Sequence, residues 1–240
     1  MTRLPDPALA HAFEASWPPA RTERAGGFLV GLGEGAGGRV SSARALPDWR
    51  PDDIPLAEAQ HREWGQRPVF RAWNADQALI AALTDRGYGL ENPTLVLEAP
   101  VAALTDRPLP PVTGFALWPP LAIQRRIWEA GNINPARQAV MDRVALPKAA
   151  LLGRLHDRAA AAGFVAAAGD VAMLHGLEVL PDFRRQGLAG WMVRQAAFWA
   201  AEQGAARLAL AVSEGNAGAR ALYRGLGFTE AAGYGYYAPV

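Results

Sequence analysis

The chain has 240 residues, half of them apolar, a formal charge of +1 and no cysteine. Near-neutrality gives no electrostatic basis for binding nucleic acid or an acidic membrane, and the lack of cysteine removes any disulfide framework, thiolate nucleophile or thiolate-bound zinc. The four histidines (His11, His61, His156, His175) lack metal-site spacing, no run reaches transmembrane length and Met1 to Pro7 lacks a signal's apolar core, so a cytoplasmic protein without metal is expected.

The length leaves room for two modules. A helical stretch from Pro7 to Ser16 gives way to a strand at Phe28-Leu29-Val30 and a glycine-rich turn. That turn, Gly31 to Ala36, satisfies Gly-x-Gly-x-x-Ala, but a dinucleotide fingerprint requires a helix next. Residues Arg39 to Ala43 instead read as extended and half polar, so the segment is taken as a hairpin with no ligand site. Residues Thr105 to Pro111 are turn-rich and without periodicity, and mark a boundary. Beyond it the pattern predicts a short strand at Gly114 to Trp118, a helix opened by Pro119-Pro120 and running through Trp128, and a helix from Pro135 to Val144. A turn at Lys148 to Leu152, strands near 151–155 and 163–168, and a hairpin turn at Gly169-Asp170 lead to a central strand, Val171 to Leu180.

That strand runs into Arg184-Arg185-Gln186-Gly187-Leu188-Ala189 and then a long amphipathic helix. Leu188, Trp191, Met192, Gln195 and Trp199 recur at helical spacing, which is a core stripe rather than a ligand box. A helix start bare of side chains presents free N–H groups and the positive end of its dipole, and two arginines at its rim add charge, so the turn suits a phosphate. Downstream lie the strand Arg207 to Val212 and the series Asn216, Ala219, Tyr223, Gly227, Phe228, with Gly204 and Gly227 as left-handed helix stops.

The spacing Arg-x-x-Gly-x-Ala resembles the diphosphate-binding turn of the GNAT acyltransferases. The run N-x-x-A-x-x-x-Y-x-x-x-G-F from Asn216 to Phe228 resembles their second half. The resemblance covers residues 111–240 and is densest over 171–230. It implies an α/β GNAT fold, a mixed central sheet flanked by helices. It also implies an N-acetyltransferase moving an acetyl group from acetyl-CoA to a primary amine by direct transfer, with no nucleophilic residue. By the same resemblance, Arg184 to Ala189 hold the diphosphate, and backbone groups of Leu177 and Val179, freed where two strands splay, bind the pantetheine arm. Asn216 either contacts that arm or braces its turn. Tyr223 is the candidate general acid, its phenol suited to protonating a departing thiolate. His175, placed where arylalkylamine acetyltransferases carry a catalytic histidine, and Glu178 compete as base, with a water relay as the third choice. On a regular strand those two would point to opposite faces.

A faint repeat accompanies this. Ala45 to Arg50 parallels Val179 to Arg184 at an offset of 134, while Arg67 to Ala72 and Leu83 to Tyr88 parallel Arg207 to Val212 and Tyr223 to Phe228 at 140. The chain thus reads as two tandem GNAT-like modules, a degenerate one over 1–105 and a catalytic one over 111–240. The first copy has Asp53 and Pro55 where the second has Gly187 and Ala189, and Leu83 for Tyr223, so it keeps the fold without the chemistry and serves as a lid or wall. Trp118 and Trp128 suggest a partly apolar acceptor pocket, and residues 118–145 carry no acidic cluster for a polycation. The expected acceptor is a small amine or amino-acid derivative. The alternatives are a peptide N-terminus, as in a protein N-terminal acetyltransferase, or a non-catalytic acyl-CoA sensor, and a homodimer is left open.

Overall fold

The computed structural model describes residues 3–240, so the first two residues of the N-terminal module and of the start read for a signal lie outside the described residues. The N-terminal half comprises α1 (Pro7–Ala15), β1 (Arg21–Ala25), β2 (Phe28–Leu32), α2 (Gly38–Ser41), β3 (Ala43–Ala45) and α3 (Ile54–Glu63). It continues through β4 (Phe70–Trp73), α4 (Gln77–Thr84), β5 (Tyr88–Pro100) and α5 (Val101–Leu104). The C-terminal half comprises β6 (Gly114–Leu117), α6 (Ala122–Ala130), α7 (Pro135–Arg143), β7 (Lys148–Leu155), β8 (Arg158–Ala168) and β9 (Val171–Val179). It ends with α8 (Leu188–Glu202), β10 (Arg207–Ser213), α9 (Ala217–Gly225) and β11 (Thr229–Pro239).

The eleven strands of the described residues form one mixed sheet in the order β1-β2-β3-β4-β11-β5-β10-β9-β8-β7-β6. Only β3/β4 and β9/β10 are parallel, and each pair is joined by a crossover helix, α3 or α8, as parallel neighbours require. The sequence repeat is visible in the elements: β3-α3-β4-α4-β5 recurs as β9-α8-β10-α9-β11. Asp76 and Asn216, 140 residues apart, cap α4 and α9 alike, accepting from the N–H groups of Leu79 (3.2 Å) and Ala219 (3.0 Å). The glycines that follow, Gly87 and Gly227, stand at φ of 79° and 85°. Crossover helix α3 has ten residues against fifteen in α8.

The halves interleave at the centre. β5 pairs with β10 of the other half and with β11, while β11 pairs in turn with β4. Each half's last strand therefore sits within the other half's run of strands. On one face of the C-terminal sheet, α8 buries Leu188, Met192 and Val193 against Leu151, Val165 and Leu208. On the opposite face, Ile127 and Trp128 of α6 and Met141 of α7 pack on Phe164.

Two local expectations are corrected. Lys148 to Leu152 is strand, not turn: it pairs with Ala162 to Ala166 on one side and, through its end, with β6 on the other. Arg39 to Ser41 is a helical turn rather than extended chain, and β2 and β3 pair across it.

Candidate active site

The site begins with a fault in β9. An isolated glycine in a strand favours a bulge, and Gly176 takes one at φ 53°, a conformation open to few residues with a side chain. The register against β8 slips there, from Phe164↔His175 to Ala162↔Glu178. Trp128 pins the kink by donating its indole N–H to the Gly176 carbonyl at 2.9 Å. Past it the two parallel strands part: β9 and β10 pair only from Val171/Arg207 to Leu174/Leu210. The remainder of β9, including Leu177 and Val179, has no partner on β10.

The bulge also revises the face assignment. Phe164 and Ala162 are two apart on β8 and share a face, so their partners His175 and Glu178 share one too. The two do not converge, however. Glu178 turns to Arg184, 3.0 Å away, and lies against Gly131, where an added Cβ would come within 2.5 Å of its carboxyl carbon.

The gap between β9 and β10 opens on a cavity of about 930 Å³ between the halves of the molecule. From the C-terminal half it is lined by Leu174 to Leu177, Leu210 to Ser213, Asn216, Ala219 and Tyr223, and from the N-terminal half chiefly by Trp17 and residues 35–39. The glycine-rich turn read as ligand-free is thus part of a cavity wall. Tyr223 is buried against Phe228, its hydroxyl has no hydrogen-bond partner among the described residues, and burial pushes its pKa up to about 12. It is a protonated phenol at neutral pH. Asn216 lines the wall while its side chain is engaged as the α9 cap.

His175 is buried between Trp17 and Phe164, with ring centroids 5.0 and 6.1 Å away. Its Nε2 lies 2.9 Å from Ser16 Oγ and its Nδ1 3.5 Å from Arg39 Nη1. Arginine can only donate, so Nδ1 accepts and Nε2–H donates to the serine. Burial, and then the charge of Arg39, hold the imidazole well below its usual range, so it is neutral at pH 7.

The turn 184–189 and Val179 do not line this cavity. The N–H groups of Arg185 to Ala189 make no hydrogen bond among the described residues. Gly187, at φ 84°, has nothing within 4 Å of where a Cβ would stand. Arg184 donates from Nε to the Val179 carbonyl at 2.8 Å, Gln186 donates to Asp182 O at 3.1 Å, and Arg185 is exposed with no ion pair among the described residues. The matching turn of the N-terminal half is closed on itself. Asp53 accepts from the Arg50 N–H at 2.9 Å, and its carboxylate fills the space over Gly26 and Gly27.

Sequence reasoning missed Arg39, Trp17, Tyr234 and Tyr236, which all line the cavity. They reach it from the other half or from β11, and no local motif marks them. Trp128 and Trp118, expected at the acceptor pocket, do not line the cavity: Trp128 is buried in the core and Trp118 packs half-buried against the same cluster. No described helix is long and apolar enough to cross a membrane.

Residues 137–228 match the model of the acetyltransferase (GNAT) family. No curated protein matches the sequence. Among solved structures, a GCN5-related N-acetyltransferase from Kribbella flavida is similar, with a TM-score of 0.68 at 21% identity over 97% of this chain and 93% of that one. A tandem GNAT protein from the clavulanic acid biosynthesis pathway gives 0.60 at 16% identity over 91% and 83%, and a GNAT acetyltransferase from Colwellia psychrerythraea 0.57 at 15% over 88% and 80%. At these identities the likenesses show a shared fold, whereas the match of residues 137–228 is one of sequence, and it falls on the splayed strands, the open helix start and the buried phenol. Residues 137–228 are thus similar in sequence to the GNAT acetyltransferases, enzymes that transfer an acyl group from acyl-CoA to an amine, and the chain as a whole shares their fold.

Proposed function

We propose that this enzyme moves the acetyl group of acetyl-CoA directly to the primary amine of a small, amino-acid-like acceptor. In this reading residues 111–240 carry the reaction and residues 1–105 form a degenerate module that walls the acceptor chamber. The observation that carries it is the gap between β9 and β10, which opens on the chamber beside the unpartnered hydroxyl of Tyr223.

The residues present fit acyl-CoA. Five successive free N–H groups at the start of α8, with Arg185 beside them, suit a diphosphate. The edge of β9 at Leu177 and Val179 that β10 leaves unpaired suits the pantetheine amides in the manner of an added strand. When bound, the thioester supplies the activated acyl group. The chain's own contribution is then orientation and charge control. N–H groups on the free edge of β9 polarise the carbonyl, and the chamber holds the amine in line with it. Tyr223 gives its proton to the departing sulfur. With both ring nitrogens engaged, His175 acts as a positioning residue, and the amine's proton leaves through water. Glu178, held by Arg184, takes no part in this scheme.

The test is thiol release from acetyl-CoA with a panel of primary amines. Release is expected with the wild-type protein, and Tyr223→Phe should lower kcat about 100-fold, at the lower end of general acid contributions, with acetyl-CoA affinity unchanged. Tight acetyl-CoA binding with no release for any amine would instead support a sensor. Full activity in Tyr223→Phe would remove the phenol as the acid.

A further inference from the structure

The wall of the chamber carries more cations than anions. Arg39 donates from Nη2 to the Phe13 carbonyl, its guanidinium carbon stands 3.7 Å over the Phe13 ring, and Nη1 faces His175 at 3.5 Å. Its Nε is buried with no partner. The nearby carboxylate, Glu14, is already taken by Arg71 and lies 3.6 Å from Arg44, so three guanidiniums share one anion. Among the described residues Arg39 has no ion pair. The other charges on the chamber wall do not compensate it: Arg67 and Glu91 pair with each other at 2.9 Å, and Arg137 has no carboxylate within ion-pair distance.

A buried guanidinium without a counter-ion is costly, and arginine cannot shed its proton to escape the cost. Arg39 therefore leaves a place for an anion to be completed from the chamber. On its far side a smaller cavity of about 300 Å³ contains Glu14, Arg44 and Arg71, where the carboxylate is already present. Arg39 also lines the larger chamber, whose described residues offer it no free carboxylate. The planar guanidinium fork matches a carboxylate. The level is also right: Arg39 faces His175, two residues before Leu177 on the free edge. Arg39 and Leu177 line the same chamber, so an acceptor held there can meet the guanidinium with one end and the free edge with the other, as an amino acid would.

We infer that Arg39 anchors a carboxylate of the acceptor, so that the substrate is an amino acid rather than a simple amine, and that the N-terminal half thereby selects the substrate. This rests on the acetyl-transfer reading and deepens it. The test uses matched sets of an amino acid, its carboxamide and the amine lacking the carboxyl group, each assayed by thiol release, with acetyl-CoA affinity measured separately by calorimetry. The wild-type enzyme should prefer the acid over the amide by about 10- to 100-fold in kcat/KM, the range of a charged hydrogen-bonded contact. Arg39→Gln should abolish that preference through KM of the acid with acetyl-CoA affinity intact, and Arg39→Lys should restore part of it. Equal use of acid and amide by the wild-type enzyme, a comparison independent of whether any variant folds, overturns the inference, as does a preference that survives in folded Arg39→Gln. Acetyl-CoA binding without transfer to any member of the sets overturns the parent reading, and this one with it.

Discussion

At the scale of single residues, the two halves of the molecule provide a natural comparison. Gly187 and Asp53 occupy equivalent turns, and their surroundings differ as their chemistry demands. The glycine leaves a run of unbonded N–H groups facing open space, whereas the carboxylate of Asp53 closes its own turn. Gly187→Asp should therefore copy the closed turn, placing a negative charge at the proposed diphosphate seat and a side chain at φ 84°. Acetyl-CoA affinity is expected to fall by about tenfold or more, the equivalent of roughly 1.4 kcal/mol, as read by calorimetry. Undiminished affinity would move the phosphate site elsewhere. The open turn before α8 and the placing of Tyr223 on α9 were legible in the chain because they depend on neighbours close in sequence. Arg39 was not: 136 residues separate it from His175, and nothing in Gly-Gly-Arg-Val announces that its charge will be buried.

Among the elements, strands and helices with strong local punctuation were legible, and those whose conformation depends on a distant neighbour were not. Helices α1 and α7 carry Asp6 and Asn134 caps followed by proline at the first turn, and both appear within a residue of the expected bounds. Residues 148–152 became strand because β6 and β8 flank them, which no local pattern reveals. Opposite faces for His175 and Glu178 hold only on a regular strand, and the bulge at Gly176 puts both on one face. The paired caps of α4 and α9 allow a clean separation of stability from function. Asp76→Ala and Asn216→Ala should each cost about 1 kcal/mol in urea denaturation, and only Asn216→Ala should also lower kcat/KM, since only its helix borders the chamber. Equal kinetic effects of the two would argue against a role for α9 beyond folding.

For the molecule as a whole, the repeat in the sequence suggested two modules joined by a linker, and the sheet qualifies that picture. β5 separates β10 from β11, and β11 separates β4 from β5, so each half lacks a central strand without the other. Unpaired strand edges of that kind aggregate. The intact protein should unfold in one cooperative transition, and residues 1–105 or 111–240 expressed alone should be insoluble or lack dispersed amide resonances. A soluble, well-dispersed 111–240 fragment would show that the exchanged strands are dispensable. The offsets in the sequence pointed to a repeat but carried no information on strand exchange, because pairing partners lie more than a hundred residues apart.

The unbroken ladder through β4, β11, β5 and β10 also constrains how substrates come and go. Swinging one half away from the other, as a jaw opens, would tear backbone hydrogen bonds at the very centre of the protein. Traffic into the chamber must instead leave that ladder intact, and the glycine-rich crest at residues 35–38, beside Ala136 and Arg137, is the stretch of wall with the least side chain.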